Sequence, residues 1–105
     1  MYGVKSKNHK HDNRKGDLAE FYAVTWLWDH GYEAFKNCGC SGPVDLIAFK
    51  KGEVTFIDVK TRSGRSGRTR TKKQRDLNVK ILNYDPITRK LRFVDHKEDQ
   101  DNATK

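Results

Sequence analysis

Apolar and polar positions along the chain fall into blocks whose periods predict a helix, three strands, a second helix and two more strands. Residues 1–15 hold little to pack and read as a basic flexible arm. Gly16-Asp17 opens the first helix, with Asp17 as N-cap, and His30-Gly31 closes it after about Asp29. Leu18, Phe21, Tyr22, Val24, Trp26, Leu27 and Trp28 are too many for one apolar stripe, so this helix is expected to be buried on more than one side. Tyr32 to Phe35 is a short strand, Lys36 to Pro43 a loop and Val44 to Phe49 an apolar strand interrupted by Asp45. A turn at 50–53 leads into the β-branched and aromatic run Val54 to Lys60. Thr71 to Leu77 suits a short helix, and Val79 to Tyr84 and Lys90 to Val94 suit strands around Asp85-Pro86-Ile87-Thr88. The fold class is mixed α/β, with an antiparallel three-strand meander flanked by helices.

Length and composition narrow this picture. With 105 residues the chain makes one domain, and 34% hydrophobic residues give it a thin core. No apolar run approaches the roughly 20 residues of a membrane span, and no signal peptide is evident. Two cysteines and no targeting segment fit a reducing cytoplasm, bacterial, archaeal or that of a virus-infected cell. These counts exclude a multidomain enzyme and a disulfide-stapled secreted scaffold.

The net charge of +8 is unevenly spread. Residues 17–60 carry four basic and seven acidic side chains, whereas Arg62, Arg65, Arg68, Arg70, Lys72, Lys73 and Arg75 crowd into 61–75 with no acid among them. Such a segment binds a polyanion through charge and forked donors. Gly64 and Gly67 make it a loop that orders on binding; a solvated basic surface is the plainer reading.

Asp45 and Asp58 interrupt apolar strands, and a buried carboxylate needs a partner or a task. If Lys51-Gly52 is a two-residue turn, Lys50 faces Glu53, and the same register puts Asp45 opposite Asp58. Facing like charges destabilise a ladder unless a cation lies between them. Lys60 follows Asp58 by two residues and shares its face, with Val54 and Phe56 further back. Glu20 is the one acid on a helix stripe otherwise made of Gly16, Ala23, Val24 and Leu27. The plain alternative is an Asp58–Lys60 surface pair and a Glu20 favoured by the helix dipole.

Gly16-Asp17-Leu18-Ala19-Glu20, Gly42-Pro43-Val44-Asp45-Leu46-Ile47-Ala48 and Phe56-Ile57-Asp58-Val59-Lys60-Thr61, in that order, resemble the PD-(D/E)XK nuclease superfamily. Its Holliday-junction-resolvase-like and RecB-like members are the nearest in pattern, although Asp58 stands where resolvase-like members usually have Glu. The resemblance covers about residues 16–94 and implies a restriction-endonuclease-like core with a central mixed sheet. A nuclease-like domain would span 16–96, followed by a polar tail at 97–105. It implies metal-dependent phosphodiester hydrolysis. Asp45, Asp58 and the Val59 carbonyl would hold Mg²⁺ or Mn²⁺, and Glu20 a second metal or a water. Lys60 would act on the water or the transition state. Gln74 matches a supporting Gln on the family's second helix; its plain reading is a surface residue.

The expected activity is therefore a structure-selective DNA endonuclease of recombination or repair, acting on branched or duplex DNA as a homodimer, with no small-molecule cofactor. Arg62, Arg65, Arg68, Arg70, Lys72 and Lys73 would hold the backbone. A non-catalytic DNA-binding module and a sequence-specific restriction or homing-type nuclease are the alternatives. His9, His11, Cys38 and Cys40 suggest zinc only weakly, because the HxH and CxC spacings depart from CxxC; two free thiols are the simpler reading.

Overall fold

The computed structural model describes residues 4–39, 42–62 and 69–94, with side chains described from residue 14 onward except at 15. The elements are α1 (Val4–Asp29), β1 (Glu33–Lys36), β2 (Leu46–Lys50), β3 (Glu53–Thr61), α2 (Lys72–Asp76), β4 (Lys80–Tyr84) and β5 (Leu91–Phe93). The strands lie in the order β1-β2-β3-β4-β5. Pairing is antiparallel except between β3 and β4, which run parallel across the connection that carries α2. The mixed sheet and its antiparallel β1–β3 meander match the sequence expectation. Among the described residues, no helix is long and apolar enough to cross a membrane.

The first helix starts earlier than its cap signal suggested. It begins at Val4, so Asp17 lies inside it and the expected arm is helical over most of its length. No proline interrupts residues 4–29, and the single Gly16 costs only about 1 kcal/mol relative to Ala. At the other end, Gly31 takes φ +85°. The Tyr32 N–H reaches Leu27 O at 2.9 Å and the Gly31 N–H reaches Trp28 O at 3.0 Å, a Schellman ending that turns the chain into β1.

The expectation of burial around α1 is corrected. One stripe packs on the sheet: Ala19, Ala23 and Leu27, spaced by four residues, are buried, whereas Leu18, Phe21 and Trp28 are exposed. Two alanines let the helix lie close over Leu46, Ala48, Ile57 and Leu82, and the bulkier rings are left to its flanks. Residues 70–79 cover part of the opposite sheet face, where Val79, Ile81 and Asn83 are buried. Among the described residues no helix covers the same face over β1, β2 and the start of β3, and Phe35, Ile47, Phe49 and Val54 are exposed there.

The β2–β3 turn has the expected two-residue form. Lys51 and Gly52 take φ of 53° and 82°, and Lys50 pairs with Glu53. At the β4–β5 turn, Asp85 Oδ1 accepts the Ile87 N–H at 2.9 Å, and that bond holds the carboxyl below the usual range.

Candidate functional site

The β2–β3 ladder breaks at its far end from the turn. Leu46 still pairs with Ile57, but the Asp45 N–H donates to Ile57 O at 2.8 Å, one residue short of the register that would set Asp45 squarely against Asp58. This slip frees the Asp45 side chain to turn toward β3, where its Oδ2 accepts the Val59 N–H at 2.8 Å. Strand alternation sends the Val59 carbonyl to the same edge as its N–H. The Asp45 carboxyl also lies within hydrogen-bonding reach of the Asp58 carboxyl.

Two acids this close cannot both ionise freely. Burial pushes the Asp45 carboxyl up to about 7, helped by its contact with Asp58 and the charges of Asp58 and Glu20, and opposed by the Val59 N–H. Asp58 in turn is fixed by two side chains. Lys60 Nζ stands 3.3 Å from its Oδ2, and Gln74 Nε2 donates to the same oxygen at 2.9 Å.

Gln74 is the most tightly placed residue of the site. It is 6% exposed, and its Nε2 also donates to Pro43 O at 3.0 Å. Its Oε1 accepts the Thr71 N–H at 3.1 Å while Thr71 Oγ1 accepts the Gln74 N–H at 3.1 Å. That reciprocal capping box starts α2 and ties it to Asp58 and to the loop before β2.

Glu20 stands beside this cluster, with its carboxyl held by Lys36. Its Oε1 pairs with Lys36 Nζ at 3.0 Å, and Asp17, Glu20, Lys36, Asn37 and Asp45 line a cleft of about 80 Å³. Asn37 holds the cleft's far wall: its N–H donates to Asp45 O at 2.9 Å and its Nδ2 to Val44 O at 3.0 Å. Among the described residues, no three His, Cys, Asp or Glu side chains converge as a metal cluster. The donors that come together are two carboxylates and a backbone carbonyl edge, a hard-oxygen set that leaves room for water ligands and suits Mg²⁺ or Mn²⁺.

Of the expected site residues, Asp45, Asp58, Val59, Lys60 and Gln74 are brought together, with Glu20 one step away across Lys36. Arg62, Lys72 and Lys73 are exposed, with Arg62 paired to Asp85 and Lys72 to Asp76, whereas Arg65 and Arg68 lie outside the described residues. Arg70 is a correction: it is 5% exposed, and its Nη1 donates to Val79 O at 3.0 Å, so it closes the connection and offers no open face to a phosphate. Cys38 is an exposed thiol; Cys40 and the side chains of His9 and His11 lie outside the described residues. Lys36 and Asn37 were not singled out from sequence. Lys36 carried a usable signal, a cation on the strand face that α1 covers, opposite the lone acid of the helix stripe.

The family model for archaeal Holliday junction resolvase (Hjc) matches residues 11–100. Two curated relatives are UPF0102 proteins. The one from Moorella thermoacetica is 36% identical over 55 residues, covering 50% of this chain and 46% of that protein. The one from Roseiflexus castenholzii is 37% identical over 54 residues, covering 50% and 44%. The matched stretch thus spans less than half of each relative's length. Among solved structures, the bacterial homing endonuclease I-Ssp6803I has a similar fold, with a TM-score of 0.59 at 19% identity over 90% of this chain and 66% of that one.

Proposed function

Since the chain belongs to the archaeal Holliday junction resolvase family, we propose that it is a metal-dependent endonuclease that hydrolyses phosphodiester bonds in branched DNA. The observation that carries this reading is Asp58 held at one oxygen by Lys60 and Gln74, beside an Asp45 carboxyl fixed on the Val59 N–H of the same strand.

Asp45, Asp58 and the Val59 carbonyl are the groups that would hold Mg²⁺ or Mn²⁺. Bound there, the ion would supply charge for the phosphate and a water of lowered pKa. The chain's own residues do the positioning. Val59 N–H and Gln74 Nε2 each hold one carboxylate in place. Lys60 carries a positive charge beside the reacting phosphate and can exchange a proton there. Glu20, clamped by Lys36, adds negative field at Asp45. Arg62, Lys72 and Lys73 flank the acids and suit backbone contacts that set position without reading sequence.

A junction needs two cuts, and one chain has one site, so two copies about a two-fold axis suit the substrate. The exposed sheet-face residues Phe35, Ile47, Phe49 and Val54 give such a pair an apolar surface.

The test is cutting of labelled four-way junction, flap, single-stranded and blunt duplex DNA with Mg²⁺, Mn²⁺ or chelator. Junction cutting that chelator abolishes is the expected result. Cutting of single-stranded or blunt duplex DNA alone would remove the branch preference, and binding without cutting would favour a non-catalytic module.

A further inference from the structure

A second cleft lies on the β5 side of α1, away from Glu20. It measures about 520 Å³, and its walls include Tyr22, Trp26, Trp28, Asp29, Arg89 and Leu91. Two of its rings are built into the wall. Tyr22 stacks on Tyr84, with centroids 5.3 Å apart, and carries the Arg89 guanidinium 5.2 Å from its centroid; Arg89 Nη1 also donates to the Tyr22 hydroxyl. Trp26 stacks on His30 at 4.0 Å and meets the edge of Phe93 at 5.8 Å.

Trp28 and Asp29 are different. Trp28 is 60% exposed, and neither side chain has a ring, ion-pair or hydrogen-bond partner among the described residues. Nor does the helix need Asp29, because an acid in the last turn opposes the dipole. The cleft therefore presents a free indole face, a guanidinium held in place and an unpaired carboxylate. Those three groups match the parts of one nucleotide: the base face, the phosphate and an exocyclic amine such as adenine, cytosine and guanine carry.

Its location adds to the match. Tyr84 pairs with Thr61, the last residue of the strand that bears Asp58 and Lys60. The Arg62 N–H donates to Tyr84 O at 2.7 Å, and Arg62 pairs with Asp85 at 3.5 Å. The Arg89 N–H donates to Asp85 O at 2.7 Å, so Arg62 and Arg89 meet at one turn beyond the end of β3. A nucleic-acid backbone leaving the acids runs about 13 Å along β3 to Arg62 and rounds the end of the sheet to the α1 face, a path of a few nucleotides.

We propose that this cleft holds an unstacked nucleobase of the nucleic acid cut at Asp45 and Asp58. Trp28 is the stacking platform, Arg89 the phosphate contact and Asp29 the acceptor for the base's amine. The inference rests on the nuclease reading and deepens it. The preferred substrate has unpaired nucleotides a few positions from the scissile bond, as a flap or a single-stranded tail does.

The test uses the full chain in chelator, so that nothing is cut. Affinity is measured for a short mixed-sequence single strand and for a blunt duplex of equal length, while tryptophan emission is followed. The expected result is quenching by the single strand. Trp28→Ala should lower the single-strand to duplex preference about 5-fold or more, the lower end of what one stacked base contributes. Trp28→Phe should restore most of it. An unchanged preference in Trp28→Ala overturns the proposal and leaves the nuclease reading intact. A changed mass of the free Trp28→Ala protein overturns it in favour of an interface between copies. Wild-type protein that binds neither nucleic acid overturns the proposal, and binding of a four-way junction in the same buffer tells whether the nuclease reading falls with it.

Discussion

Gln74 Nε2 and Asp58 Oδ2 meet at 2.9 Å across sixteen residues of sequence, so the five-residue α2 is tied to the central strand by the same amide that caps it. The link makes Gln74 both a folding and a positioning residue. Thr71→Ala, which removes only the cap, should cost about 1 kcal/mol. Gln74→Leu should cost about 2–3 kcal/mol, because a hydrogen bond to a charged group goes with the cap. Denaturant midpoints of the two variants check the difference; equal losses would leave the Asp58 bond without weight.

The acid pair sets a pH dependence. Asp45 is raised from 3.8 to about 7 by burial and then by Asp58, so the metal-free folded chain holds a proton that the unfolded chain releases. The stability this provides is complete below pH ~3.8 and is lost as pH rises through about 7. Asp45→Asn should flatten that slope in thermal melts from pH 4 to 8. A divalent cation reverses the sign: its binding should tighten from pH 6 to 8 with release of a proton, read by calorimetry in two buffers of different ionisation enthalpy.

Lys60 separates chemistry from stability. Its pair with Asp58 is partly exposed, so Lys60→Ala should change stability by less than about 1 kcal/mol. If Lys60 acts on the reacting phosphate, cleavage should fall about 10²-fold or more, with junction binding kept. Retained cleavage would remove Lys60 from the chemistry.

The basic residues divide into two groups. Neutralising Arg65 and Arg68 together should weaken DNA binding and reduce its salt slope by about one to two units. Arg70→Gln should instead lower the denaturant midpoint, because it strips a buried bond to Val79 O. A salt slope that moves with Arg70 and not with Arg65 and Arg68 would reverse this division.

The sheet face bears on assembly. If the wild-type chain pairs through this face, Phe35→Glu with Phe49→Lys should leave a monomer of about the 12.2 kDa chain mass. Light scattering after gel filtration measures it, and a wild-type monomer would remove the pairing altogether.

Much of this was legible in the sequence because the relevant signals are local. The Lys51-Gly52 turn fixes the β2–β3 register as far as Leu46 and Ile57, which brings Asp45 to the strand that bears Asp58 and leaves Lys60 on the face of Asp58. What stayed hidden depends on packing between distant segments. Nothing local distinguishes Arg70 from Arg68 until the chain folds back on Val79. The slip at Asp45 needs the ladder to end at Leu46, which a pairing rule does not foresee. In α1, residue size pointed to the rings as the core, whereas close approach to the sheet favours Ala19 and Ala23. The helix start moved because the absence of a breaker outweighed a good cap at Asp17.

The most direct measurement is cleavage of a labelled four-way junction by Asp58→Asn beside the wild-type chain in Mg²⁺, with junction affinity measured on the same samples in chelator. Wild-type cutting that falls about 10²-fold or more in the variant, at unchanged affinity, is the predicted result. Equal cutting by both proteins would contradict the assignment of the Asp45–Asp58 pair as the reacting centre.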